Sequence, residues 1–295
     1  MQSADLVRLA LPLHGLTDSP FTVLRSLGDT VARVDTPAGP TVLRVCEPGT
    51  AEARLAEVST FQNAAAEAGL TVPHREAARA LALPDGTHRW TVRSTWVDGE
   101  APRPVTAELA RALGKATAQL HALDFHPPQD WTGPVYGAAW LRGWWEAGAP
   151  RHLSADDHER CAPAVAQAAI FMEAHAAEAR VIHSDLHFGN VLLAPDGQAA
   201  VLDFDGCAVA HPAFDLALTE RELLDFPEAG TLTEAYRASY AGQSRQPYPF
   251  EAVEQCRAAT GTAFLEWVYG SRNPEVRAQK EMWVLPLLDD LALLG

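Results

Sequence analysis

Residues 181–190 read VIHSDLHFGN, which places two histidines, an aspartate and an asparagine directly after a β-branched pair. A buried strand seldom runs into such a cluster for packing reasons alone. The residues either cap and staple a loop or hold something reactive. Downstream, the run VLLAPDGQAAVLDFDG carries Asp196-Gly197 between two apolar stretches, a strong hairpin signal. A two-residue loop there sets Asn190 opposite Asp203, at the open end of the ribbon away from the turn. An amide oxygen facing a carboxylate, with Asp185 on the preceding loop, makes a seat for a hard cation such as Mg²⁺. Asp185 is then free to face the same space and accept a proton from an alcohol. Taken singly, each of these residues could equally be a turn cap or a solvated strand end. The joint pattern of H-x-D-L-H-x-x-N, hairpin and D-F-D-G is hard to explain that way.

The chain around this island has two halves of different character. The runs FTVLRSLGD, TVARVDTP and TVLRVCEP read as strands, the last two joined by a Pro/Gly turn, and WTVRSTWV reads as another. Between them TAEARLAEVSTFQNAAAEAG reads as a helix that stops at Gly69. After the turn-rich DGEAPRP the pattern turns helical, beginning with TAELARALGKATAQLHAL, whose Leu109, Leu113, Ala116 and Leu120 share one stripe. The expected architecture is α+β and bilobal: residues 1–97 form a small β-rich lobe and residues 98–295 a larger, mostly helical one.

Composition bounds what such a protein does. The 295 residues carry 38 acidic and 23 basic side chains, net −15, which argues against a nucleic-acid partner. The charge is uneven: residues 1–97 are net −1 and residues 98–295 net −14. An acidic large lobe suits a cationic ligand, although a solvated acidic surface would look the same. No apolar run reaches the ~20 residues of a membrane helix, and the N-terminal stretch lacks the basic start and uniform apolarity of a secretory signal. Cys46, Cys161, Cys207 and Cys256 show no metal spacing and read as free thiols, so a cytoplasmic protein is expected. Nothing in the sequence specifies an oligomeric state.

The catalytic-looking segment resembles that of the aminoglycoside phosphotransferase/choline kinase family, small-molecule relatives of protein kinases. VIHSDLHFGNVLL is similar to its H-G-D-x-H-x-x-N loop, and VLDFDGCAVAHPAFDLAL to its metal-binding aspartate and following D-L-A helix start. The wording is nearest the bacterial branch of stress-response kinases and type II homoserine kinases. The resemblance implies a protein-kinase-like fold and in-line transfer of the γ-phosphoryl group of ATP to a small-molecule hydroxyl, possible acceptors being amino alcohols, amino acids and aminosugars. It makes Asp185 the base, Asn190 a Mg²⁺ ligand and Asp203 the bridge between Mg²⁺ and the phosphates. It makes His183 and His187 loop-orienting, and Asp215 a holder of the loop. It also implies a cation on the third strand paired with a helix glutamate, and a hinge whose backbone near Thr95 and Val97 meets adenine. Here Arg44 stands in the lysine position, since no lysine precedes Lys115. Its expected partner is Glu57, with Glu52 as the alternative. Gly28 alone is a thin phosphate loop. Trp140, Trp144, Trp145 and Trp267 are expected in the core. A Ser/Thr protein kinase and a nucleotide-binding pseudokinase stand as alternatives.

Overall fold

The computed structural model describes residues 2–101, 103–123, 125–271 and 274–294. Strands β1 (Phe21–Leu27), β2 (Asp29–Thr36), β3 (Gly39–Val45), β4 (Arg79–Ala82) and β5 (His88–Thr95) form an antiparallel sheet in the order β1-β2-β3-β5-β4. Helix α1 (Ser3–Ala10) and a 3₁₀ turn (Leu11–His14) pack Leu6, Val7, Ala10 and Leu11 against Ala32, Val34, Leu43 and Val45 of this sheet. Neither α1 nor β4 is evident in the sequence pattern. Eight uncapped residues make a helix only when docked, and RALA pairs as a strand only because β5 lies beside it.

Helix α2 (Glu52–Glu67) ends at Gly69, whose φ of +88° confirms the stop signal. Its Val58, Phe61 and Ala65 share one core with Leu109, Leu113 and Leu120 of α3 (Ala107–His121). Thr106 caps α3 by accepting from Leu109 N at 3.2 Å. The large lobe continues through α4 (Ala138–Gly143), which runs into a π turn, and α5 (Ala155–Ala174). It closes with α6 (Ala213–Leu223), α7 (Ala229–Ser244), α8 (Phe250–Gly270) and α9 (Pro274–Leu293). Gly114 lets α3 and α7 close together, because a Cβ there would lie 2.3 Å from the Tyr236 carbonyl oxygen. Among the described residues, no helix is long and apolar enough to cross a membrane. The mixed α+β, two-lobed architecture is the one expected.

Within the large lobe, β6 (Val135–Tyr136), β7 (Arg180–Ile182) and β10 (Ala208–Ala210) make a small sheet in the order β6-β10-β7. Strands β8 (Val191–Leu193) and β9 (Ala199–Val201) make the expected hairpin, with one correction. Val191 pairs with Val201 and Ala194 N donates to Gln198 O at 2.8 Å, so the loop has three residues and the register is one short of that expected. Asn190 therefore lies opposite Leu202, whose N–H donates to its carbonyl at 2.8 Å, and not opposite Asp203. Pro195 opens the turn and Gly197 takes the left-handed position (φ +78°), which adds the extra residue.

The hairpin also ties the two halves of the chain together. Glu100 and Leu193 exchange backbone hydrogen bonds at 3.0 and 2.7 Å, and Val201 N donates to Thr71 O at 2.9 Å.

Candidate active site

The loop after β7 is held from behind by one carboxylate. Asp215, wholly buried in the first turn of α6, accepts from His183 N at 3.1 Å and Ser184 N at 2.7 Å. His183 Nε2 donates to Leu202 O (2.9 Å), and its ring packs 4.7 Å from Phe204, which meets Phe61 of α2 edge-on at 5.7 Å. Buried apolar packing from α2 through Phe204 to His183 thus fixes the loop. Ser184 sits at φ 59°, a strained value for a residue with a side chain, and bonds Gly206 O through its hydroxyl. His187 accepts from Gly189 N at 3.0 Å. Both histidines and Asp215 orient the loop, as expected.

Asp185 emerges from this scaffold half-buried. Asn190 Nδ2 donates to its Oδ2 and to its carbonyl oxygen, both at 2.9 Å. The asparagine thereby commits its nitrogen and turns its oxygen into the available ligand atom. Burial raises the Asp185 pKa above the ordinary carboxylate value; His187 and His183 pull it down and Asp203 pushes it up again. Asp203 itself adopts the left-handed region (φ 57°, ψ 61°), which aspartate tolerates better than most residues. Its charge is felt at Asp185 despite the shifted register. Gly206 packs closely beside Asp185: a Cβ there would lie 3.2 Å from the Asp185 Cβ, a tight contact.

The cation site of the small lobe differs from expectation. Arg44 does face the cleft, but its guanidinium binds Asp29 and Asp205. Glu57 instead holds Arg54 Nη1 at 3.2 Å and accepts from Thr132 N, so the expected Arg44–Glu57 pair does not form. Sheet register explains this. Arg44 lies opposite Val31, which places Asp29 diagonally beside it on the same face. Asp29, immediately after Gly28, is anchored in turn by Glu47 N at 2.6 Å. Three further arginines converge on the D-F-D-G turn: Arg25 lies 3.6 Å from Asp203, Arg75 donates to Asp205 at 3.0 Å, and Arg54 donates to the Asp205 carbonyl at 2.9 Å. Sequence reading passed over Asp29, Asp205 and Arg75. The absence of lysine from the small lobe was the only signal that arginines would gather here.

At the hinge, Thr95 is already engaged. Its N–H donates to His74 O at 3.0 Å and its hydroxyl accepts from His74 N at 2.8 Å. Only its carbonyl and the backbone of Val97 remain as candidate adenine contacts. On the far side of Asp185, Tyr136 stacks on Phe214 (5.1 Å) and lies 4.7 Å from Trp140, whose indole N–H donates to Glu266 at 2.9 Å. Burial, then the charges of Glu266 and Asp185, raises the Tyr136 pKa. Of the four tryptophans expected in the core, only Trp145 is buried; Trp140 and Trp144 are half-buried, and Trp267 is 51% exposed.

Residues 23–251 match the profile of the phosphotransferase enzyme family. The chain belongs to that family. The phosphotransferase also shares its fold with solved kinases of low sequence identity. A microcompartment-associated aminopropanol kinase aligns with a TM-score of 0.75 at 17% identity, over 98% of this chain and 95% of the other. An ethanolamine kinase of Plasmodium vivax gives 0.64 at 12% identity, over 97% and 86%. An aminoglycoside phosphotransferase of Streptomyces rimosus, solved with ADP and streptomycin, gives 0.59 at 18% identity, over 88% and 97%. No curated relative matches the sequence.

Proposed function

We propose that this phosphotransferase moves the γ-phosphoryl group of ATP to the hydroxyl of a small, amine-bearing alcohol. The observation that carries the reading is Asp185, fixed by Asn190 at 2.9 Å on a loop locked by Asp215, with Asp203 beside it. In this reading Asp185 accepts the proton of the acceptor hydroxyl as its oxygen bonds to the γ-phosphorus. The bond from that phosphorus to the β–γ bridging oxygen breaks, and ADP leaves with the electron pair. Asn190 and Asp203 offer hard oxygen donors, a set that suits Mg²⁺. When bound, the ion supplies charge neutralisation at the phosphates. With Nε and Nη2 on Asp29 and Nη1 on Asp205, Arg44 keeps N–H groups to donate to phosphate oxygens, more than a lysine so held could offer. The Val97 backbone and the Thr95 carbonyl meet the adenine.

The amine is supported by the other wall. Tyr136 and Trp140 pack together, and the Trp140 indole holds the Glu266 carboxylate, a pairing of aromatic rings and an anion that suits an ammonium group. Two of the fold's relatives above are named for amino alcohols and a third was solved with streptomycin, which agrees with such an acceptor. The test is ATP consumption across amino alcohols, amino acids, aminosugars, neutral sugars and a generic protein substrate. Turnover should rise with small amine-bearing alcohols and vanish in Asp185→Asn. Transfer to the protein substrate alone, or to none of the panel, would refute the reading.

A further inference from the structure

Arg75 has no part in the chemistry above, yet it is built with unusual care. It lies between α2 and β4 and is 5% exposed. Asn63 of α2 grips its backbone at both ends, donating to Arg75 O at 2.9 Å and accepting from Arg75 N at 2.8 Å. Residue 75 also bridges to Ser94 of β5. The guanidinium so placed donates to Asp205 Oδ1 at 3.0 Å, while Arg44 takes Asp205 Oδ2. One carboxylate of the large lobe is thus shared between two arginines of the small lobe, one oxygen each.

We infer that Arg75 is a positioning residue for nucleotide phosphate: it pins Asp205, whose second oxygen then aims Arg44 into the cleft. Arg75 and Asp205 thereby take over the orienting task that the helix carboxylate Glu57, engaged by Arg54 and Thr132, does not perform. Burying a cation beside another cation is costly unless an anion compensates both. Burial, followed by the charge of Arg44, lowers the Arg75 pKa to about 10, and the anion its guanidinium meets is Asp205, at 3.0 Å. A purely structural ion pair would not need to sit where Asp203 and Arg44 both feel it. The bridge also crosses between the lobes.

This inference rests on the proposed ATP site, and calorimetry separates the two. Mg²⁺-ATP and adenosine are titrated into the full chain, into Arg75→Met and into Arg75→Lys. Arg75→Met should weaken Mg²⁺-ATP by about tenfold or more and adenosine by less than about twofold, because only the phosphates depend on the anchor. Arg75→Lys keeps the charge, and hence the fold, but loses the fork. It should cost a smaller loss, again confined to ATP. In an Arg44→Met background, Arg75→Met should add little, since both act on one anchor. Equal weakening of ATP and adenosine, or an Arg75→Lys indistinguishable from the parent on both ligands, would overturn the inference and leave the ATP site standing. A parent chain that binds no Mg²⁺-ATP would overturn the proposed function, and this inference with it.

Discussion

The loop from His183 to Asn190 and the arginine anchor of the small lobe do related work but are assembled in opposite ways. The reactive pair is local: Asp185 and its Asn190 partner are five residues apart, and distant groups, among them Asp215, Leu202 O, Gly206 O and Phe204, brace the loop around them. The anchor is non-local: Asp29, Arg44, Arg75 and Asp205 come from β2, β3, a connecting loop and the turn after β9. A local site keeps its geometry as long as its loop is ordered. A non-local one depends on sheet register and on how the lobes meet, so it can be rewired without changing any motif. Here it has been, with carboxylates Asp29 and Asp205 in place of Glu57.

The largest expected effect tests the local half. Asp185→Asn removes the proton acceptor and should lower turnover by roughly 10²–10⁴-fold, while calorimetry finds Mg²⁺-ATP affinity nearly intact. Lost ATP affinity with unchanged turnover would make Asp185 a nucleotide or metal ligand, and the loop would then belong to the anchor.

The next tests the non-local half. Arg44→Ala should weaken Mg²⁺-ATP by about tenfold to a hundredfold. It also leaves Asp29 and Asp205 poorly compensated, which should cost about 2–3 kcal/mol of stability in denaturant titration. Glu57→Gln should leave ATP affinity nearly unchanged, since Glu57 does not touch Arg44. Equal losses in the two variants would restore the helix–strand pairing that the geometry replaces.

A smaller effect concerns the acceptor wall. Glu266→Gln should raise KM for an amine-bearing acceptor by about tenfold with kcat and KM for ATP little altered, read from initial rates. A matching loss on a neutral alcohol would show that Glu266 supports the wall rather than the ammonium.

The smallest effect involves pH and lies outside both regions. Burial lowers the His211 pKa below the ordinary value of 6.5, against the opposing pull of Glu178, which its Nε2 meets at 3.4 Å, while His175 and His121 nearby add to the lowering. The unfolded chain therefore takes up this proton first. Stability from this group is complete above about pH 6.5 and declines as pH falls below it. Denaturant titrations at about pH 7 and about pH 5.5 should show a shallower decline in His211→Gln than in the parent.

The sequence by itself determined what is carried by short spacings. H-x-D-L-H-x-x-N and D-F-D-G placed Asp185, its amide neighbour and the acidic turn. Hydrophobic periods placed three adjacent strands, the stop at Gly69 and the helical large lobe. These features depend on a few consecutive residues and on elementary propensity, so they survive without knowledge of the rest. Tertiary structure alone decided which carboxylates hold Arg44, that Arg75 reaches Asp205, and that Thr95 spends its amide on His74. It also decided that α1 and the strand Arg79–Ala82 exist, because both are held by docking rather than by propensity. The hairpin lies between the two cases. Its Asp-Gly turn was legible, but a three-residue loop with Gly197 in the left-handed position moved the register by one residue, which the Asp-Gly pair alone does not reveal.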